Sequence, residues 1–426
     1  MIPHIFSISS TSKFIMICLL AQNCGCKYFE KSSSSDVTEF KEVKFDLNDI
    51  SVLLPYPEKE SDLDNYLGFE FKQGANQRIL FKKPVFDQLI STVVRNEFKG
   101  IDLSSASLYQ EYRIISMRAD PCAPSDVEKD TSCKLEFRLV AQYFPPLFND
   151  KEGDLGSRET SETAIHLIYR LDNDSFQSLI RDLLDFKVKS SVSTAGRLKV
   201  HPGIEAAGMN SVYSKSLKTI IANYGDNKNL YRAAILAQDQ EKKKLVFGMI
   251  EKKLQDYEAI ADPTSKKFAS GFDGLNIVPE SSSSENLQPF FKVFWPALGR
   301  FLIDEKLEDQ RIMEESGFGI LKNSFRIDNP LLANRNNTDC ISCHNAGWQR
   351  LFVENNAPKT TRDEKEMYSN SKFDLKPGVG MRNFLATSTR HFGYTDHQPA
   401  ITFRTINETA AAAQKINSEW LIQQPR

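Results

Sequence analysis

Several motifs that would assign an enzymatic activity are missing from this chain of 426 residues. It has no glycine-rich phosphate-binding loop and no Gly-x-Ser-x-Gly elbow, so phosphate transfer and serine-dependent acyl transfer have no support. No internal repeat is visible, which argues against a solenoid or a propeller. The formal net charge is −2 and the sequence pI is about 6.4. The chain therefore lacks the excess of positive charge that favours nucleic acid as a partner.

Long apolar runs are also missing from the N-terminal region. The apolar stretch that follows Lys13 covers only residues 14–21, which is too short to span a bilayer. A basic residue followed by a short apolar run is typical of an export signal. The run is followed by Gly25 and Cys26, which resemble a bacterial lipoprotein processing site. We therefore expect a signal peptide at residues 1–25 and a lipid on Cys26.

The polar, serine-rich residues 26–45 predict a tether between the lipid anchor and the folded protein. This arrangement places the protein in the periplasm or cell envelope, held to a membrane by its lipid.

Cysteine and histidine are scarce, with seven and six residues respectively, yet three of them stand together in Cys340-Ile-Ser-Cys343-His344. Chance would produce such a Cys-x-x-Cys-His string in roughly two of every thousand chains of this composition. The spacing is that of a covalent c-type haem attachment site, in which two thiols add to the haem vinyl groups and the imidazole binds the iron. Half of a zinc site and a redox dithiol are the alternatives.

These three residues make the C-terminal part of the chain, residues 316–426, resemble a c-type cytochrome. The resemblance implies one covalently attached haem c, with thioether bonds to Cys340 and Cys343 and with His344 as the proximal iron ligand. It also implies a small, mainly α-helical domain.

The sixth iron ligand is left open by the sequence. Met381 follows a loop rich in proline and glycine at residues 376–380, and it is our first prediction for this position. His391 is the alternative, followed by His397. Methionine ligation raises the potential relative to bis-histidine ligation. Arg382, Arg390 and Arg404 are candidates to pair with haem propionates, since a guanidinium matches a carboxylate, but a solvated surface position is the default expectation for each.

Two further cysteines, Cys122 and Cys133, flank a turn-rich segment between two strand-like runs. In an oxidising compartment they are expected to form a disulfide that closes a hairpin, and two buried free thiols are the alternative.

The remaining sequence predicts an α+β fold, with a strand-rich N-terminal domain before the small helical one. Alternating apolar residues predict strands at five places. Helices are predicted after Pro84, at 174–186 and at 210–223, and a terminal helix is predicted around residues 407–413. Residues 230–250 fit a strand pair or a long helix, and we favour the pair. The expected strands lie at 67–72, 78–81, 112–117, 135–144 and 164–169.

The expected organisation is therefore an α+β domain of unknown function at 46–280, an interdomain segment at 281–315 and a c-type haem domain at 316–426. His166 and His201, in the first of these domains, are expected to be structural or surface groups.

Taken together, these features predict an exported, membrane-anchored haem protein that transfers single electrons to an unidentified redox partner protein. A haem enzyme or sensor with an open distal site is one alternative. An envelope binding protein with an accessory haem is the other.

Overall fold

A seven-stranded antiparallel sheet is the central element of the described part of the chain. The computed structural model describes residues 43–73, 76–94, 106–123, 132–144, 163–239, 244–253, 256–259, 329–330, 344, 392–395 and 397–421. Seven of the strands form one sheet in the order β1-β4-β5-β6-β7-β8-β9, and every neighbouring pair is antiparallel. These strands are β1 (Ser51–Leu53), β4 (Tyr112–Ala123), β5 (Lys134–Tyr143), β6 (Ala164–Arg170), β7 (Leu230–Asp239), β8 (Lys244–Lys253) and β9 (Asp256–Ala259).

Two smaller hairpins accompany this sheet: β2 (Glu70–Gln73) pairs with β3 (Asn76–Ile79), and β10 (Phe392–Thr395) pairs with β11 (Gln398–Ile401). The described helices are α1 (Leu47–Ile50), α2 (Lys83–Val94), α3 (Ala106–Glu111), α4 (Asn173–Val188), α5 (Pro202–Ala207), α6 (Val212–Tyr224) and α7 (Phe403–Lys415). Short 3-10 helices occupy Glu60–Asn65 and Asn227–Asn229, and one π-helical turn, Ile416–Trp420, follows α7.

Side chains that precede the longer helices fix where those helices begin. The carboxylate of Asp172 accepts a hydrogen bond from the backbone N–H of Ser175, at 2.7 Å, and so caps α4. Ser211 caps α6 and Thr402 caps α7 in the same way. Each cap satisfies a backbone donor that the first helical turn leaves without an intrahelical partner.

One face of the large sheet, which we call the helix face, packs against α2, α4 and α6. Strand β6 shows how the sequence produces this face: Ile165, Leu167 and Tyr169 are fully buried, whereas the residues between them, His166 and Ile168, are only half-buried. Side chains alternate between the two faces of a strand, so this pattern separates a fully covered face from a partly covered one.

The other face, which we call the open face, is covered over β1, β4 and β5 by α7 and the β10–β11 hairpin. The hydroxyls of Ser51 and Thr409 lie 2.8 Å apart, which joins β1 to α7. The side-chain amide of Gln142 both donates to and accepts from the backbone of Tyr394, at 3.2 Å in each case. These buried contacts hold the last described segment of the chain on the sheet.

The predicted strand-rich α+β character of the N-terminal region is confirmed. The helices predicted after Pro84, at 174–186 and at 210–223 correspond to α2, α4 and α6, and the favoured strand pair at 230–250 is β7–β8. Among the described helices, none is long and apolar enough to cross a membrane.

The structure departs from the expected organisation at both ends of the folded region. Residues 392–421 were expected to belong to a separate haem domain, but Phe392, Ile406 and Ile416 lie in the same hydrophobic core as the sheet. The terminal helix, predicted around 407–413, begins at Phe403 and closes the open face of this sheet. Phe45, assigned to the tether, is fully buried. Apolar burial against the sheet decides the placement of these residues.

Candidate functional site

A cavity of about 230 Å³ lies on the open face of the sheet, beside the part that α7 and β10 cover. Residues of β5, β6 and β7 form its floor, and Phe392, Thr405 and Glu408 belong to the wall. The floor is mainly apolar because it includes Val140, Ile168, Ala234 and Leu236, with His166 and Arg138 among them.

His166 stands at the centre of this floor. Its direct cross-strand neighbours are Val140 on β5 and Ala234 on β7, and both also line the cavity. A strand that is paired on both sides has little freedom, so the imidazole is held on a rigid support. Small and apolar neighbours leave room above the ring and keep the surroundings poorly hydrated.

His344, from the Cys-x-x-Cys-His string, lines the same cavity. The centroid of its half-buried ring lies 6.0 Å from the centroid of the His166 ring, and the two ring planes are inclined at 82°. The structure therefore places the histidine of the Cys-x-x-Cys-His string near a second histidine that is distant in sequence.

At the other end of the cavity, charged side chains form a largely half-buried network. Arg118 forms an ion pair with Glu408 of α7, and Arg404 Nε lies 2.7 Å from the other oxygen of the same carboxylate. Arg138 Nη2 lies 2.7 Å from Glu136 Oε2 and 3.1 Å from Asp120 Oδ2. Three arginines are thus matched by three carboxylates.

The network fixes the protonation of Glu408 and Arg138. Burial raises the pKa of Glu408, but the neighbouring guanidinium groups outweigh it and hold that pKa well below its usual range. Burial lowers the pKa of Arg138, yet the adjacent carboxylates raise it above its ordinary value. Both groups therefore stay charged at any physiological pH. Arg404, a candidate partner of a haem propionate that was by default expected to be a solvated surface group, pairs with Glu408.

The residues that the sequence assigned to haem and lipid attachment are described only in part. Cys340 and Cys343, the candidate distal ligands Met381 and His391, and the lipidation residue Cys26 all lie outside the described residues, as do Arg382 and Arg390. His397, the third distal candidate, is described: its ring packs on Tyr56 with centroids 4.8 Å apart. His397 is not among the described residues that line the cavity.

The structure joins Cys122 and Cys133 in a disulfide, with Cα atoms 4.2 Å apart. The bond links the end of β4 to the residues just before β5, as expected of a hairpin-closing bridge. It lies away from the histidine pair, at the edge of the β4–β5 ladder.

His201, the other histidine expected to be structural, is fully buried and caps α5, where its Nδ1 accepts from Ile204 N at 3.2 Å. Burial is the main cause that lowers its pKa, from 6.5 to about 4. This histidine is neutral near pH 7 and has a structural role.

His166 is the site residue that sequence reasoning missed. The alternation of side chains along β6, which the sequence shows, places His166 on the less buried face of the strand. Residues on that face normally contact solvent, so nothing in the sequence indicates a cavity there. Only the tertiary structure shows that this face lines a cavity.

A pair of imidazoles suits a transition metal or haem iron. Within the described ranges, no group of three or more histidine, cysteine or acidic side chains is placed to hold a metal ion. The two histidines alone would therefore hold a metal only with ligands from elsewhere, such as a porphyrin. The volume of about 230 Å³ is below the roughly 300–1,000 Å³ of pockets for organic ligands. The cavity thus accommodates only part of a haem group.

No protein-family model, no curated protein and no solved structure matches this chain.

Proposed function

We propose that this chain is an exported, lipid-anchored protein of the cell envelope that carries one covalently attached haem c and transfers single electrons. The observation that carries the proposal is the string Cys340-Ile-Ser-Cys343-His344. It is supported by the position of His344 beside an apolar cavity and a second imidazole.

In this proposal, Cys340 and Cys343 would hold the haem through thioether bonds and His344 would bind its iron. Bound haem supplies reversible one-electron chemistry at its iron. The chain's own residues orient it and exclude water, since the cavity floor of Val140, Ile168 and Ala234 is apolar. An apolar surrounding limits solvent access to the iron and so sets its potential.

The haem region of the proposed protein belongs in part to the sheet. Because residues 392–421 pack into the main core, the attachment motif lies between two segments of one folded unit. Deleting residues 316–426 would remove α7 and expose the open face. A deletion of that kind is therefore a poor test of what the N-terminal region does alone.

Covalent haem is tested by producing the full chain in a host that has the c-type attachment machinery. We expect a c-type pyridine haemochrome spectrum that stays with the polypeptide after acid extraction. The Cys340→Ser/Cys343→Ser variant should lose it. The matched control, Cys122→Ser/Cys133→Ser, removes the other cysteine pair and should retain it. A wild-type protein that acquires no pigment, or releases it on extraction, refutes the proposal.

Single-electron transfer is tested by reversible voltammetry of the holoprotein and by adding CO to its reduced form. We expect one reversible one-electron wave and no CO complex. Rapid CO binding would instead favour the haem enzyme or sensor with an open distal position.

Lipid anchoring at Cys26 is tested by labelling cells with a fatty acid. We expect label in the wild type and none in Cys26→Ser, while Cys24→Ser serves as the neighbouring control and keeps the label. Label in Cys26→Ser would contradict the anchor.

A further inference from the structure

We infer that His166 is the sixth ligand of the haem iron, so that the protein holds its haem between His344 and a histidine of the central sheet. This inference rests on the proposed haem function and makes it more specific. It selects His166 over Met381 and His391, the residues that the sequence favoured.

The distance between the two rings carries the inference. A metal–imidazole bond is about 2 Å long and the ring centre lies about 1 Å beyond the nitrogen, so imidazoles on opposite sides of one metal have centroids roughly 6 Å apart. Two ligands at tetrahedral corners would have centroids about 5 Å apart by the same reasoning. The observed separation of 6.0 Å agrees with the axial arrangement.

His166 lies on a strand that is paired on both sides, which suits a residue that stays bound to the iron. Strand β6 is paired with β5 on one side and β7 on the other along the residues that flank His166. Its neighbours Val140 and Ala234 bring no competing charge to the iron. A ligand on such a support is preorganised, because withdrawing it would require the sheet to deform.

The charged residues around the cavity are not competing iron ligands. The charged residues that line the cavity are Arg118, Arg138 and Glu408, and each has an opposite charge beside it in the network described above. His166 and His344 are the two histidines of the described lining. Met117 also lines the cavity, but it is fully buried and pairs with Leu139, which alternates with Val140 along β5 and so lies on the opposite face from His166.

Two consequences follow for the holoprotein. The iron is six-coordinate and low-spin in both oxidation states, so small gases do not bind readily. Its reduction potential is lower than that of a haem with a methionine ligand, because a thioether favours the ferrous state.

The inference is tested on the holoprotein by absorption, by electron paramagnetic resonance and by CO binding. We expect a low-spin ferric signal without the thioether-to-iron charge-transfer band of methionine-ligated haem. Since the rings are inclined at 82°, the signal should have the strong anisotropy of near-perpendicular imidazole planes.

His166→Ala should keep its covalent haem, become high-spin, bind CO and regain the low-spin spectrum when imidazole is added. His166→Met should gain the thioether band. The matched controls, Met381→Ala and His391→Ala, should keep the wild-type spectrum. Rescue by imidazole separates a ligand from a residue that only supports the fold.

The outcomes distinguish the two proposals. Suppose that the wild type has covalent haem and that its spectrum changes in Met381→Ala or His391→Ala but not in His166→Ala. That result overturns the ligand assignment and leaves the haem proposal standing. Bound zinc and no haem overturns both. If His166→Ala does not fold, the count of imidazole nitrogens on iron in Met381→Ala/His391→Ala/His397→Ala decides: two support the inference, and one refutes it.

Discussion

The stability of this protein should depend on pH through His201, a residue remote from the proposed haem chemistry. Its ring is fully buried and packs near Phe186 and Tyr213, with centroids 5.4 Å and 6.0 Å away. Nδ1 accepts the hydrogen bond that caps α5, and Nε2 has no hydrogen-bond partner among the described residues. Protonation would remove the cap acceptor and place a charge in an apolar site.

The size of the effect follows from the pKa. Burial first, and then the charge of Lys187, lower the pKa of His201 from 6.5 to about 4 against an opposing backbone contribution. Each pKa unit corresponds to about 1.4 kcal/mol, so the neutral form contributes about 3 kcal/mol to the free energy of unfolding. This contribution is fully present above the unfolded-state pKa. It is lost as the pH falls towards the folded-state value, because the unfolded chain binds the proton first.

Denaturant unfolding at a series of pH values, for the wild type and for His201→Asn, measures this contribution. Asparagine also caps helices but does not titrate. We expect the wild type to lose about 3 kcal/mol more than the variant between about pH 7 and about pH 4. Parallel curves for the two proteins would refute the assignment of a buried neutral histidine.

Three further predictions concern contacts that hold the fold together. Glu408→Gln should lower the free energy of unfolding by about 1–3 kcal/mol, since it leaves the half-buried Arg118, Arg138 and Arg404 short of one carboxylate; an unchanged denaturation midpoint would contradict the network. Asn417→Ala removes two hydrogen bonds to the backbone of Phe45, at 2.8 Å and 2.9 Å, and should cost about 1–3 kcal/mol by thermal or chemical unfolding. Ser418→Ala, on the exposed neighbour, is its control. Cys122→Ser/Cys133→Ser should cost about 3 kcal/mol, as expected for a loop of this length; the variant's melting temperature should not respond to reductant, whereas that of the wild type should fall.

Much of the N-terminal fold could be predicted because its signals are local. In β6 the alternation of buried and half-buried residues is visible in the sequence, and so is the apolar face of α4. Asp172 caps α4 from the adjoining position in the chain. Local periodicity and capping depend on neighbours a few residues away, which a sequence displays directly.

The C-terminal boundary could not be predicted from such signals. The apolar residues of α7 fit a helix in any small domain, and nothing local indicates which surface they cover. The partners of α7 lie hundreds of residues earlier: Ser51 contacts Thr409, and Arg118 contacts Glu408. The choice of surface depends on long-range burial and charge matching.

The amino-acid sequence by itself determined the chemistry that the candidate site can have: the spaced thiols and imidazole of Cys340, Cys343 and His344, together with the strand and helix periods of the sheet region. Tertiary structure alone decided that His344 meets His166 and that the last helix completes the core of the sheet. The reason is physical. Ligand spacing and side-chain alternation are properties of adjoining residues, whereas a cavity exists only after distant segments have buried their apolar surfaces against one another.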